Sequence, residues 1–435
     1  MGEELAREVR VRHCELLRGR IAVPGDKSIS HRALMIGAVA TGETVVHGLQ
    51  EGADCMATWN CLAQMGVRMV RGNNEAVVIE GVGLRGLREP DNVVDCANSG
   101  TTMRILCGVL AGGETFSVLT GDDSLRARPM RRVIDPLALM GANIMARSDM
   151  YAPVAIRGCN LRGIEYHTPV ASAQVKSALT MAALFAHGIT RIEESLPSRD
   201  HTERMLEYMG VELDSHDCRI ALRGGQEPLA REIEIPGDFS AAAFFLGAAA
   251  ILPGSCVQVR GVGINPTRTG FLHALRRMGA RVLIENKRTV SGEPRADVTA
   301  YGGDELKGIH VAADEVPGMI DEIPMLAVVS CFASGETCIA GASELRVKET
   351  DRIHVLAIEL GKMGADLEER ADGMIIRGVA HLRGATVNSW GDHRIAMALS
   401  IAALAATGST VVQGAECAAI SFPSFYGLLE ELTIR

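Results

Sequence analysis

The chain has 435 residues, 47% of them hydrophobic but only 4% aromatic, a formal net charge of −9, and 47 glycines against 15 prolines. That length predicts two to four domains with cores of Ala, Val, Leu, Ile and Met and many tight turns. The negative charge excludes a general nucleic-acid binder or a protein drawn to anionic membrane surfaces.

The opening "MGEELAREVRV" is charged and lacks the apolar stretch of a signal peptide. The loop "VPGDKSISHRA", residues 23 to 33, follows and runs into the small apolar segment "ALMIGAVA". A lysine followed by serine suggests a nucleotide-binding P-loop, but that motif needs glycines where Ile21 and Asp26 stand. The loop must hold its ligand in some other way.

Further along, two markers alternate. Met-Gly-(Ala/Val) recurs at Met65-Gly66, Met140-Gly141, Met209-Gly210, Met278-Gly279 and Met363-Gly364. Each ends a helix-like stretch ("DCMATWNCLAQ", "MRRVIDPLAL", "DHTERMLEY", "TGFLHALRR", "DRIHVLAIELGK") and precedes a short strand such as "VRMV", "VELD" or "ARVLI". Glycine there suits a helix end that needs left-handed backbone. The second marker is a turn centred on Gly42, Gly113, Gly188, Gly254, Gly335 and Gly408, ending an Ala-rich helix and opening a strand. The unit is therefore buried helix, strand, loop, amphipathic helix, strand. It recurs six times at roughly seventy-residue spacing, too long for a solenoid. Six units in two groups of three predict two pseudo-symmetric α/β domains with a cleft between them. The last copy ends in "SFPSFYGLLEEL" without the Met-Gly marker.

Polar loops precede the Ala-rich helices: "PGDKSISHR", "DCANSGTTMR", "TPVASAQVKS", "IPGDFSAA", "GMIDEIPM" and "WGDHRIAM". Capping accounts for Asp238 and Ser240. It does not account for Lys27, Arg32, Lys176, His393 and Arg394, because a cation at a helix N-terminus opposes the macrodipole by roughly 0.3–1 kcal/mol. Cations gathered there in an acidic chain imply an anionic ligand. The loops "LRARPMRR" and "LRVKETDR" add positive charge, although the first alone reads equally well as a solvated face.

The eleven cysteines form no C-x-x-C pair, and the twelve histidines show no H-x-x-x-H spacing. The expectation is reduced thiols in a cytoplasm and no metal site. The apolar runs "FSAAAFFLGAAAIL" and "IAMALSIAALAA" fall short of the ~20 residues of a membrane helix.

Taken together, "PGDKSISHRA", "NSGTTMR", "RPM", "ASAQVKSA", "SRDHTE", "DEIP", "LRVKETDR" and "GDHRIAMA" resemble the 5-enolpyruvylshikimate-3-phosphate synthases of the enolpyruvyl transferase family, in order from residue 24 to 399. The resemblance implies two pseudo-threefold domains, each of three βαβαββ units, an inside-out α/β barrel. One domain would hold residues 1–22 and 233–435, the other 23–232, with the active site in the cleft. It implies enolpyruvyl transfer from phosphoenolpyruvate to the 5-hydroxyl of shikimate-3-phosphate, with loss of phosphate, through a tetrahedral intermediate. No cofactor, metal, nucleic acid or membrane is implied, and the expectation is a cytoplasmic monomer of the shikimate pathway, a family targeted by glyphosate.

Matched by motif, Lys27, Arg128, Arg352 and Arg394 would hold phosphoenolpyruvate, with Asn98 and Gly100 shaping its site. Ser28, Arg32, Ser172, Gln174 and Arg199 would hold shikimate-3-phosphate, and Lys348 either helps there or flanks Glu349. Asp321 would be the base and hydroxyl anchor, Glu349 the proton donor and acceptor at the methylene, and His393 a further polar partner. Lys27 would also contact the hydroxyl or the leaving phosphate. From the residues alone, Asp321 could equally cap a helix, Glu349 stabilise a first turn, and "SRDHTE" be a capping turn.

Three positions depart from the family pattern: Ile420 where a lysine is common, Ile105 where a proline is common, and Ala173 for a serine. The nearest rival, UDP-N-acetylglucosamine enolpyruvyl transferase, usually has Lys-Asn at Lys27-Ser28 and a cysteine at Asp123. A non-catalytic anion-binding protein on the same scaffold would need neither Asp321 nor Glu349.

Overall fold

The computed structural model describes residues 7–72 and 75–434. Two compact units separate: one of the chain up to Pro24, Gly237–Arg288 and the chain from Pro294 onward, the other of Gly25–Pro236 and Thr289–Glu293.

The unit holding Gly25–Pro236 contains three four-stranded sheets of one design. Val94–Asp95 runs parallel to Phe116–Thr120, which pairs antiparallel with Tyr151–Arg157, itself antiparallel to Asn143–Arg147. Glu165–Thr168, Ile189–Glu194, Arg219–Arg223 and Leu213–His216 repeat that order, as do Glu232–Glu234, Thr41–His47, Val77–Val82 and Arg68–Arg71. The last sheet takes its leading parallel strand from the end of the segment, because Gly25 leads straight into a helix.

Three helices fill the interior: Lys27–Ala38, Gly100–Ala111 and Ala173–Ala183. They are buried around nearly their whole circumference, so they lack a polar face. Small residues make this possible. A Cβ on Gly108 would fall 2.0 Å from the Ala178 carbonyl oxygen, so the second and third helices meet backbone to backbone. The amphipathic helices Ala53–Gln64, Arg131–Leu139 and His201–Tyr208 cap at Met65, Met140 and Met209, each fully buried or nearly so.

The other unit follows the same plan. Its sheets are four-stranded (through Glu336–Ile339), five-stranded (through Cys256–Gly263) and three-stranded (through Ser409–Gln413). Its buried helices are Phe239–Ile251, Ile323–Ser330 and His393–Ala405. The missing sixth Met-Gly is explained here. Helix Phe425–Leu432 packs Phe425 against Phe244, Phe245 and Phe422, then continues as strand Thr433–Ile434, which pairs with Leu16–Ala22.

The fold is thus α/β, six βαβαββ repeats in two pseudo-threefold units. All five glycines of the Met-Gly marker have φ between +85° and +97°. Of the turn glycines, Gly113 alone lacks a positive φ. Its neighbour Gly112 bears the constraint instead, since a Cβ there would meet Phe185 Cβ at 2.3 Å. All eleven cysteines are free thiols. Among the described residues no helix is long and apolar enough to cross a membrane, and no group of three or more His, Cys, Asp or Glu could hold a metal.

Candidate active site

In the unit that carries both chain ends, two helix starts converge. Asp351 caps Arg352–Lys362 by accepting from His354 N, and Asp392 caps His393–Ala405 by accepting from Arg394 N and Ile395 N. Arg352, His393 and Arg394 are therefore first-turn residues. Arg352 is 1% exposed, and its guanidinium meets three carboxylates: Nε to Asp392 Oδ2 at 2.7 Å, Nη2 to Glu349 Oε2 at 2.6 Å, and Nη1 to Asp321 Oδ1 at 3.6 Å. Burial opposes its charge, but Asp392 and Glu349 outweigh that and raise its pKa. Arg394 Nη1 donates to the Asp321 carbonyl at 3.2 Å, and its Nε lies 3.5 Å from Asp321 Oδ1. His393 is buried, and Lys348 is half-buried with its ammonium pKa lowered by desolvation against the pull of Asp321.

Two bland readings fail here. The cap of Ile323–Ser330 is Glu322, so Asp321 is not a capping residue. Glu349 precedes the helix that begins at Arg352, so it is not a first-turn carboxylate. Ser240 is also more than a cap residue, since its hydroxyl bonds Glu322 and accepts from Arg268 Nη2 at 2.8 Å.

In the other unit, Asp26 caps Lys27–Ala38, and Lys27 Nζ pairs with Asp54 Oδ2 at 2.9 Å. Ser28 Oγ accepts from Arg199 Nη1 at 3.3 Å. Arg32 lies beneath, 3% exposed, donating to the Ser28 carbonyl, Thr202 Oγ1 and Ser177 Oγ at 2.7–2.8 Å. Burial among these uncharged acceptors pushes its pKa down to about 10. A second group gathers around Gly100. Arg128 Nη2 donates to Asn98 Oδ1 at 2.6 Å, Asn98 donates to Asp122, Arg104 Nη1 donates to Gln174 Oε1 at 2.8 Å, and Gln174 donates to Thr101. Ser172 is the N-cap residue of Ala173–Ala183, without a side-chain cap bond.

Lys176 does not belong to this surface. It is 3% exposed and lies 2.7 Å from Glu194 Oε2 and 2.8 Å from Glu203 Oε1, so its charge is neutralised inside the protein. In "RARPMRR", Arg126 and Arg131 form exposed pairs with Asp123 and Asp135, while Arg128 bonds Asn98. "SRDHTE" is not a simple cap either, because Asp200 makes no side-chain cap bond and pairs with Arg204.

Three residues escaped the sequence reading. Arg104 ends the quoted "NSGTTMR" and stands four residues after Gly100, on the same helix face, so it had a signal. Asp392 sits beside His393 in the loop "WGDHRIAM", where nothing in the local pattern sets it apart from a helix cap. Asp54, an aspartate in the first turn of an amphipathic helix, had no local signal.

Buried guanidinium groups, half-buried lysines and carboxylates that share them describe a protein for small polyanions whose chemistry moves protons. The comparisons narrow that class. The family model of EPSP synthase (3-phosphoshikimate 1-carboxyvinyltransferase) matches residues 11–429. The chain is 51% identical to the 3-phosphoshikimate 1-carboxyvinyltransferase of Geobacter sulfurreducens, over 96% of this chain and 97% of the relative. It is 49% identical to that of Bacillus thuringiensis over 96% and 97%. A solved EPSP synthase from Acinetobacter baumannii superposes with a TM-score of 0.88 at 44% identity, covering 98% of each chain. This chain belongs to the EPSP synthase (3-phosphoshikimate 1-carboxyvinyltransferase) family. Its activity is that family's enolpyruvyl transfer, with shikimate-3-phosphate and phosphoenolpyruvate as small-molecule substrates, and the UDP-N-acetylglucosamine alternative finds no support.

Proposed function

We propose that this chain joins the enolpyruvyl group to the 5-hydroxyl of shikimate-3-phosphate with the residues named above in specific roles. The observation that carries the proposal is that Asp321 and Glu349 share one buried guanidinium, that of Arg352. A carboxylate held this way keeps its orientation, and a cation at the same place neutralises the carboxylate of phosphoenolpyruvate.

Glu349 gives a proton to the methylene carbon while Asp321 takes one from the attacking hydroxyl, forming the C–O bond at C2. Glu349 then removes a proton from the resulting methyl group as the bond from C2 to the phosphate oxygen breaks, and the proton taken up by Asp321 leaves with the phosphate. Arg352 and Arg394 hold the carboxylate end, Lys27 and Arg128 the phosphate, Asn98 and Gly100 the walls, and His393 a polar contact. Lys348 flanks Glu349. Ser28, Arg32, Ser172, Gln174 and Arg199 bind shikimate-3-phosphate.

We also propose that the protein works in the cytoplasm as a monomer, and its eleven free thiols fit a reducing compartment. Size-exclusion chromatography with light scattering tests the monomer.

The proton roles are tested in deuterated water. Wild-type enzyme with both substrates should place deuterium in recovered phosphoenolpyruvate. Glu349→Gln should bind both substrates, lose turnover by about 10²–10⁴-fold, and place none. Unchanged deuterium exchange in that variant removes Glu349 from the methylene step.

A further inference from the structure

Just before His393 and Arg394 the backbone adopts two left-handed residues in succession, Trp390 at φ +56° and Gly391 at φ +74°. Among the described residues Trp390 is the only aromatic with a positive φ. Its side chain is 55% exposed, so core packing does not impose the conformation. Strain of this kind persists only where the surroundings over-determine it, and it gathers at functional sites.

Ser389 fixes part of it, donating from Oγ to the Gly414 carbonyl at 2.9 Å and accepting from Gly391 N at 3.2 Å. The group that fixes the Trp390 side chain is Glu359, a carboxylate with 0% exposure. Its Oε1 accepts from the Trp390 indole Nε1 at 2.8 Å. Its Oε2 accepts from Asn388 N at 3.0 Å and from Lys362 Nζ at 2.7 Å. Asn388 Oδ1 in turn accepts from Trp390 N at 2.7 Å. Glu359 stands seven residues after Arg352 in helix Arg352–Lys362, two turns along the same face. Arg352 holds Asp392 from that face. One helix stripe therefore grips the 388–392 segment at both ends, and the strained pair lies between the grips.

We propose that Glu359 is a positioning residue for the phosphoenolpyruvate end of the site, acting through Trp390 on the start of the helix that carries His393 and Arg394. The proposal rests on the roles assigned to those two residues above. Without the three-donor clamp the segment relaxes from its left-handed turn, and the first turn of His393–Ala405 loses its fixed direction relative to Arg352.

The chain has two tryptophans, so Trp59→Phe leaves Trp390 as the sole reporter. In that background, Glu359→Gln should red-shift Trp390 emission and increase its quenching by iodide. It should raise the KM for phosphoenolpyruvate about tenfold while the KM for shikimate-3-phosphate stays within twofold. Trp390→Phe keeps the ring but removes the indole donor, and should give the same KM split in smaller degree. If Glu359→Gln does not fold, that second variant decides.

Equal changes in both KM values, or none, would overturn the proposal, as would unaltered Trp390 emission in a folded Glu359→Gln protein. A parent protein inactive with both substrates would count against the proposed function itself. It would remove the phosphoenolpyruvate part of this inference while the emission shift still tested the clamp.

Discussion

Gly100 has no room for a methyl group: a Cβ there would lie 2.7 Å from Arg104 Nη1 and 3.6 Å from Arg128 Nη1. The nearer atom ends a flexible side chain, so Gly100→Ala should fold normally and displace Arg104 from Gln174. Its KM for phosphoenolpyruvate should rise about tenfold, equivalent to about 1.4 kcal/mol, with the KM for shikimate-3-phosphate little changed. Steady-state kinetics with each substrate varied in turn checks this. His31 makes a different prediction. Fully buried, with Nδ1 at 2.6 Å from Thr58 Oγ1, it has its pKa lowered to about 3 by desolvation. The unfolded chain binds this proton near pH 6.5 and the folded one does not. The corresponding stability is therefore present above pH 6.5 and lost as pH falls towards 3, at about 1.4 kcal/mol per unit. Urea unfolding at pH 7 and pH 5 should show a loss about 2 kcal/mol smaller in His31→Asn than in the wild type. Equal losses would show that His31 is not the acid-sensitive group.

At the scale of elements, Lys176 shows where reading the sequence went astray and why. A lysine in the first turn of a helix, in a loop equivalent to those of Lys27 and Arg394, looks like part of an anion site. Its partners Glu194 and Glu203 lie in other elements, and nothing in the local pattern announces that they converge on it. Burial lowers the Lys176 pKa, but Glu203 and Glu194 more than offset this and raise it above the ordinary 10.5. Its stabilising effect is thus complete below that value and lost only as pH rises through the folded-state pKa. Lys176→Met leaves two carboxylates buried without their cation and should cost about 3–5 kcal/mol. Adding Glu194→Gln and Glu203→Gln should recover much of that in thermal unfolding. No recovery would mean that packing of the lysine stem, not charge, is what matters. By contrast, the Met-Gly helix ends were legible because a left-handed helix terminus is a local demand that glycine meets best. Asp321 and Glu349 stand out through specific motifs, and the structure brings both to the Arg352 guanidinium. Asp54 and Asp392 were not legible, since a carboxylate near a helix start has a sufficient local explanation in capping.

For the molecule as a whole, six copies of one βαβαββ unit provide six buried helices whose polar starts can each present a side chain. Buried helices must be rich in small residues, as the Gly108 approach to Ala178 requires, so charged residues concentrate at the ends. This is why the chemistry was concentrated in the loops "PGDKSISHR" and "WGDHRIAM" and could be read there. Which loops meet was not readable, because it depends on long-range packing. The central claim is that this arrangement serves shikimate-3-phosphate as acceptor. It is tested most directly by measuring phosphate released from phosphoenolpyruvate with either shikimate-3-phosphate or UDP-N-acetylglucosamine present. Release with shikimate-3-phosphate alone is the predicted result. Release only with UDP-N-acetylglucosamine, or with neither despite binding of shikimate-3-phosphate, would contradict it.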